Sequence, residues 1–370
     1  MSLEPWGWDP SWADRLAWLG VSAPDVARIT GQDRDRWSIQ TRLGAGIARL
    51  RSTARLELYP VVGDWVAVDT GPMPSDPWSI LAVLPRCSQF ARGAAGTGTV
   101  EQVLAANVDT VWIVHGLDGP LNPRRLERYL AMAWESGAAP EIILTKSDLV
   151  PDLDLAVAEA QRIAIGVEVR LTSSSRPETV SALRETLVPG RTVALLGPSG
   201  AGKSTLINLL AETELARTGA VRAGDAKGRH TTTRRELFQI AGGALLLDTP
   251  GLRELRVWDL GEGLEKAFPE IEQLAQQCRF RDCAHRAEPG CAVLAAMEAG
   301  QLDPGRVASF RKLLAEAAFQ VRKTDPLARA AALAQNKTAM KTLKHHQKLK
   351  NQSCEEGGIE GRLAGTAPGR

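Results

Sequence analysis

The nine residues Gly197-Pro198-Ser199-Gly200-Ala201-Gly202-Lys203-Ser204-Thr205 have the GxxxxGKS spacing of a phosphate loop. The apolar run Val193–Leu196 precedes them and a helical pattern over Thr205–Ala211 follows, the strand–loop–helix context that the motif requires. Glycines at these spacings let successive backbone N–H groups curl around a polyphosphate, and the helix N-terminus adds a favourable dipole. Lys203 is placed to reach the terminal phosphates, and the Ser204 hydroxyl to complete a magnesium shell. A glycine-rich turn before an ordinary helix would not need the Lys-Ser pair.

A second group stands 55 residues upstream. Thr145-Lys146-Ser147-Asp148 follows the apolar run Glu141–Leu144 and so closes a strand. One carboxylate there can accept both the N1–H and the exocyclic amine of guanine, a donor pair that adenine lacks. A site left unpaired by the wrong base discriminates by about 10⁴-fold or more. Lys146 would lie along the base plane, and the Ser173 backbone, after the next strand, would reach the guanine carbonyl. The base motif thus precedes the phosphate loop, the reverse of the usual order. A circular permutation keeps both at the carboxyl edge of one parallel sheet.

Downstream, the polar stretch GDAKGRHTTTR lacks periodicity. Its Thr231 and Thr232 are candidates to close on magnesium and the γ-phosphate, as switch loops do. Asp248-Thr249-Pro250-Gly251 ends a strand and offers a carboxylate behind magnesium and the Gly251 N–H for the γ-phosphate. Leu252 then stands where many GTPases carry a glutamine that orients water. A leucine cannot do that, and His230 is the nearest polar substitute. The catalytic set is therefore His230, Lys203 and Thr232.

A third group is Cys278-x4-Cys283-x-His285-x5-Cys291, three thiolates and one imidazole within fourteen residues. This Cys₃His set suits a closed tetrahedral zinc site with no position open for catalysis. In a reducing cytosol clustered cysteines serve metals more often than disulfides.

The elements that must position these groups follow from the rest of the chain. At 370 residues, with 44% hydrophobic and 24% charged residues, two or three soluble domains are expected. No apolar run approaches the ~18 residues of a membrane span, and the N-terminus lacks the features of a signal peptide, so a cytoplasmic, monomeric protein is expected. Trp6, Trp8, Trp12 and Trp18 read as an amphipathic packing segment. Five short strands follow, at Asp25–Thr30, Trp37–Thr41, Ile47–Arg51, Asp64–Val68 and Trp78–Leu84, and suit an OB-fold barrel. Arg34, Arg36, Arg42, Arg49, Arg51 and Arg55 interleave with them, as a solvated basic face or as RNA contacts. Residues 86–100 read as a linker, which makes the junction near Val100 the barrel's attachment. An α/β alternation then runs from Asp109. Helical patterns at Val293–Ala299 and from Pro304 to about Val321 lead into residues 321–350, which carry eight Lys/Arg against one acid. That segment could track phosphates or remain a solvated tail. The final residues, 357–370, contain Ile-Glu-Gly-Arg and read as an added protease-site linker.

The order T-K-x-D, GxxxxGKS, HTTT, DTPG and CRFRDCAHRAEPGCAV resembles the circularly permuted GTPases that depend on the small ribosomal subunit, the RsgA (YjeQ) family. VVGDWVAV in the barrel and AANVDTVWIV opening the GTPase domain add to the resemblance, which covers about residues 25–350. It implies a multidomain α/β and β architecture. A segment and OB-fold barrel would occupy residues 1–90, a circularly permuted phosphate-loop GTPase domain 100–258, and a zinc-binding helical domain with basic tail 259–350. It implies that Thr145–Asp148 and Gly197–Thr205 bind GTP or GDP with Mg²⁺ (through Ser204 and Thr232), and that Cys278, Cys283, His285 and Cys291 bind one Zn²⁺. It further implies action late in small-subunit assembly, with that subunit and its rRNA as partners. Thr145 stands where the family more often has asparagine, and the tail is less densely basic than the family's. Three activities fit: a subunit-stimulated GTPase acting as an assembly checkpoint, a nucleotide-gated RNA-binding module, and a phosphate-loop ATPase.

Overall fold

Asp9, Pro10 and the left-handed Gly20 delimit the first helix, α1 (Pro10–Leu19): the Asp9 carboxylate accepts the Ser11 N–H at 2.8 Å, and proline occupies the first helical position. The computed structural model of the chain describes residues 2–20, 25–50, 56–69, 76–93, 101–212, 235–248 and 261–324. Residues 1–317 form one unit; of the second, 318–370, the described part ends a long helix. Trp8 meets Trp65 edge-on with centroids 4.9 Å apart, and Trp12 lies 6.1 Å from the same ring. The packing role expected of the tryptophans holds for Trp8 and Trp12 and for Trp6, which packs against the same core, while Trp18 is 78% exposed.

Five strands form the barrel: β1 (Asp25–Asp33), β2 (Arg36–Thr41), β3 (Gly44–Leu50), β4 (Trp65–Asp69) and β5 (Trp78–Val83). They pair in the order β1-β2-β3-β5-β4 and close through β4 onto β1. Only β3 and β5 run parallel. Ile29, Trp37, Ile39, Val66, Val68 and Ile80 fill the interior. The expected linker is partly strand: β6 (Gln89–Gly93) pairs antiparallel with β7 (Glu101–Ala106). Its small residues obscured an alternation that the next strand in the chain completes.

The α/β part contains β8 (Thr110–Gly116), α2 (Pro123–Glu135), β9 (Ala139–Thr145), α3 (Leu153–Ile163), β10 (Val169–Leu171), α4 (Pro177–Glu185), β11 (Thr192–Leu196) and α5 (Lys203–Ala211). The hairpin β12 (Arg235–Gln239) and β13 (Leu245–Asp248) completes it. Sheet order is β10-β9-β8-β11-β13-β12, parallel except for β12. Both faces of the sheet are covered, which is why the strands read as continuous apolar runs. Val111, Ile113, Ala194 and Leu196 join Leu130 of α2 and Ile163 of α3 in one core, while Trp112, Val114, Val193 and Leu195 join Leu183 of α4 and Leu206 of α5 in another.

The barrel is attached at more than the expected junction. β1 pairs antiparallel with β12 (Gly31 opposite Glu236, Gln32 opposite Arg235), so barrel and α/β sheet form one continuous sheet. The two signature stretches meet at a second seam. Gly63, at φ +91°, lies so close to Ala106 that an added Cβ would sit 2.1 Å from its carbonyl oxygen. Asn107 donates to the Gly63 carbonyl at 3.0 Å, and Arg28 donates to the Asn107 carbonyl at 3.0 Å and to the Thr192 hydroxyl at 3.1 Å. Buried Asp64 receives both Nε and a terminal nitrogen of Arg86 at 2.8 Å.

Four helices end the described chain: α6 (Gly261–Ala267), α7 (Pro269–Ala275), α8 (Ala292–Glu298) and α9 (Pro304–Thr324). Gly263 of α6 presses on α2, where its N–H donates to Glu135 at 2.9 Å. Arg306 of α9 is the buried hub. It donates to Glu127 of α2 at 3.2 Å, the Ile163 carbonyl at 2.9 Å, the Ala267 carbonyl at 3.0 Å and both oxygens of Glu270, and it lies over the Phe268 ring. Among the described residues no helix is long and apolar enough to cross a membrane.

Candidate nucleotide site and metal centre

Parallel pairing sets Gly116 opposite Thr145 and Leu196 opposite Ile113, so the loops after β8, β9 and β11 share one edge of the sheet. Gly197 leaves β11 at φ +148° against β8, where any Cβ would sit 2.3 Å from the Val114 carbonyl oxygen. The loop Gly197–Gly202 then turns into α5, whose ladder opens with the Leu206 N–H on the Gly202 carbonyl at 2.8 Å. Lys203 is buried, and its ammonium folds back to donate to the Gly197 carbonyl at 2.7 Å and the Pro198 carbonyl at 2.5 Å. Those carbonyls hold the ammonium over the Gly197–Gly202 loop. Ser204 is half-buried and Thr205 exposed at the start of α5.

The base motif touches this loop directly. The Thr145 hydroxyl donates to the Ala201 carbonyl at 2.7 Å, and Gly202 leaves just the room this requires, since an added Cβ would meet Thr145 Oγ1 at 3.3 Å. The threonine at this position therefore makes a tether to the loop. Lys146 adopts a left-handed backbone, φ +57°, unusual outside glycine and frequent at functional sites. Its ammonium donates to Asp118 at 2.6 Å, which holds the Asp118 carboxyl below the usual range. Ser147 is buried and its N–H reaches the Thr172 carbonyl at 3.3 Å.

Asp148 is reached by the loop after β10. The Ser173 hydroxyl donates to its carboxylate, and that bond lowers the Asp148 pKa. Ser173 in turn receives the Ser175 N–H on its hydroxyl at 3.0 Å. Its own N–H, expected to face a base carbonyl, donates to Thr179 Oγ1 at 2.9 Å. Asp118 and Thr179 escaped the sequence reading because each works through a side-chain contact with no fixed spacing to a motif. Asp248 closes β13 beside β11. His230, Thr231, Thr232, Thr249, Pro250, Gly251 and Leu252 lie outside the described residues, as does the basic segment beyond Thr324.

The four metal-ligand candidates converge. Cys278, Cys283, His285 and Cys291 place their ligand atoms within 4.8 Å of one another, the cluster able to hold a metal among the described residues. His285 Nδ1 lies 3.6 Å from Cys278 Sγ and 3.4 Å from Cys291 Sγ, and those two sulfurs are 3.8 Å apart. Ligands on a tetrahedron with zinc bond lengths of about 2.0–2.3 Å stand roughly 3.4–3.8 Å apart, so the donor set fits the ion. Glu288 shapes the loop by accepting the N–H groups of Ala284 at 3.1 Å, Arg286 at 2.6 Å and Ala287 at 3.0 Å. The backbone N–H of Glu288 itself, and then those of Arg286, Ala287 and Ala284, pull its carboxyl down to about 2. Phe310 backs the His285 ring with centroids 6.4 Å apart and also meets Phe268, the ring under Arg306.

A phosphate loop after the fourth strand in chain order of a parallel sheet, with its base motif already two strands earlier, defines a circularly permuted phosphate-loop GTPase. A family model described as RsgA GTPase matches residues 83–258. An ABC transporter model also matches residues 180–351, a span that holds the phosphate loop but not Thr145–Asp148. A protein of Opitutus terrae named small ribosomal subunit biogenesis GTPase RsgA is 46% identical over 344 residues, 89% of this chain and 94% of its own length. Its namesake from Streptomyces coelicolor is 43% identical over 89% of this chain and 90% of its own. Among solved structures, YjeQ from Thermotoga maritima superposes with a TM-score of 0.60 at 27% identity, over 79% of this chain and 98% of that one. YloQ, described as a circularly permuted GTPase, gives 0.57 at 22% identity over 79% and 94%, and supports the fold alone. The chain belongs to the RsgA GTPase family and is a hydrolase acting on GTP.

Proposed function

We propose that this protein hydrolyses GTP to GDP and phosphate on the small ribosomal subunit, in the cytoplasm and as a monomer, and that the cycle serves as a checkpoint late in the subunit's maturation. The observation that carries this reading is the permuted site itself, Thr145 tethered to Ala201 with Asp148 alongside, in a chain whose relatives at 43–46% identity are named for small-subunit biogenesis. Under this reading Asp148 reads guanine, Gly197–Thr205 cradle the phosphates, and Ser204, Thr232 and Asp248 serve Mg²⁺. Cys278, Cys283, His285 and Cys291 hold a structural Zn²⁺ that fixes the helical part. The barrel of residues 1–90 binds rRNA, residues 100–258 form the GTPase domain, and residues 259–350 form the zinc domain.

Leu252 orients no water, so the isolated protein turns over slowly and the bound subunit brings His230 over the γ-phosphate. GTP turnover measured with and without isolated small subunits tests the proposal. Strong stimulation that His230→Ala lowers, with GTP affinity nearly unchanged, supports it. Unstimulated turnover would leave a nucleotide-gated RNA-binding module as the better reading.

A further inference from the structure

Helix α2 opens Pro123-Arg124-Arg125-Leu126-Glu127-Arg128-Tyr129, and α9 presents Ser309, Lys312 and Glu316 at helical spacing. The two meet across an open cleft of about 280 Å³ lined by Arg124, Arg125, Arg128, Tyr129, Ser309 and Lys312. Four cations therefore face one small space. Glu316 pairs with Arg128, whose Nη2 donates to both of its carboxylate oxygens at 2.7 and 2.9 Å. Arg124, Arg125 and Lys312 are exposed, and among the described residues none has a carboxylate within 4.0 Å.

The cleft is fixed before any ligand arrives. Beneath it Arg306 of α9 donates to Glu127, the α2 residue beside Arg128, and to the Ile163 carbonyl. A preformed array loses little ordering entropy on binding. Its exposed chemistry is charge, beside a half-buried tyrosine; Ser309 and Leu313 in its lining are buried. The exposed residues of its lining are cations, and no aliphatic side chain is exposed there. Cations spread over two helices match instead the repeated, evenly charged phosphates of a nucleic-acid strand.

We propose that the α2/α9 seam binds the sugar–phosphate backbone of RNA, with Arg124, Arg125 and Lys312 contacting phosphates. The proposal rests on the reading of the chain as a small-subunit factor and adds a footprint separate from the barrel. Because the seam joins the GTPase sheet to the zinc-bearing helices, RNA lying there contacts both at once.

The test uses the full chain, with isolated small ribosomal subunits and protein-free small-subunit rRNA as two probes. The triple variant R124Q/R125Q/K312Q is expected to bind both at least tenfold more weakly. Its plot of log affinity against log salt should be shallower by about two to three, one increment per lost phosphate contact. GDP affinity and melting temperature should not change. If the triple variant melts lower, Lys312→Gln alone should still lose part of the affinity and salt slope, and Lys312→Arg should restore both. Wild-type affinity and slope in the triple variant would overturn the seam while leaving the proposed function standing. Loss toward subunits with unchanged binding to bare rRNA would assign the seam to a ribosomal protein and overturn the RNA assignment. If wild-type protein binds neither probe, the small-subunit reading fails, and the seam with it.

Discussion

The Thr145 hydroxyl donates to the Ala201 carbonyl at 2.7 Å, so the strand that ends in the base motif is pinned to the phosphate loop. Thr145→Val keeps the shape and removes the donor, leaving a buried carbonyl unpaired. A loss of about 1 kcal/mol, roughly fivefold in GDP affinity, is expected. Thr145→Ser should retain most of it. Titration with fluorescent GDP checks both, and equal affinity in valine and wild-type proteins would remove the tether from the account.

Under the proposed reading of Asp148 as the guanine-binding residue, Asp148 and Ser173 set the acid limit of base recognition. The Ser173 hydrogen bond depresses the Asp148 pKa, so the carboxylate persists as pH falls through the ordinary aspartate range and is lost only at its lower folded value. Ser173→Ala should move that loss to higher pH. Carboxyl NMR shifts of Asp148 in the two proteins measure it directly. Asp148→Asn should in turn shift preference from GTP toward xanthosine triphosphate, whose base has a carbonyl where guanine has its amine.

Arg306 joins Glu127 and Glu270 in a buried network, so Arg306→Ala leaves carboxylates without their partner. Breaking such a pair costs about 3–5 kcal/mol. Urea unfolding should show a loss of that size, and one below about 1 kcal/mol would contradict the hub. Cys283→Ser should lose stoichiometric metal and lower the melting temperature, because structural zinc contributes directly to folding.

The chemistry-bearing groups were legible because phosphate and zinc sites demand short, fixed spacings, as Gly197–Ser204 and Cys278–Cys291 show. The five barrel strands were legible from alternation, with boundaries within a few residues of those observed. What stayed hidden was long-range. Nothing in the local pattern of Gly31 or Glu236 announces that β1 extends the GTPase sheet, and α4 lay in a polar stretch with little signal. Gly63 and Asn107 were visible only as parts of signature stretches, and Arg28 only as part of the first strand; their work is to weld the barrel to the sheet.

In the proposed cycle the β1–β12 pairing gives the barrel a route to the nucleotide site. β12 pairs with β13, whose last residue is Asp248, so the barrel is two strands from that magnesium candidate. In Gly31→Val the new side chain would begin 3.3 Å from Ser38 Cβ and Oγ, so β1 must shift against β2 at the residue that also faces Glu236, and the β1–β12 register should be disturbed with it. Intrinsic GTP hydrolysis should change little, while the difference in subunit affinity between nucleotide states shrinks. Equal differences in variant and wild type would separate the barrel from the switch.

The most direct test of the account is the affinity of the full chain for isolated small subunits with GDP and with a non-hydrolysable GTP analogue. The account expects at least tenfold tighter binding with the analogue, a coupling of about 1.4 kcal/mol, and the same factor in analogue affinity when subunits are added. Equal subunit affinity in the two nucleotide states would contradict the checkpoint.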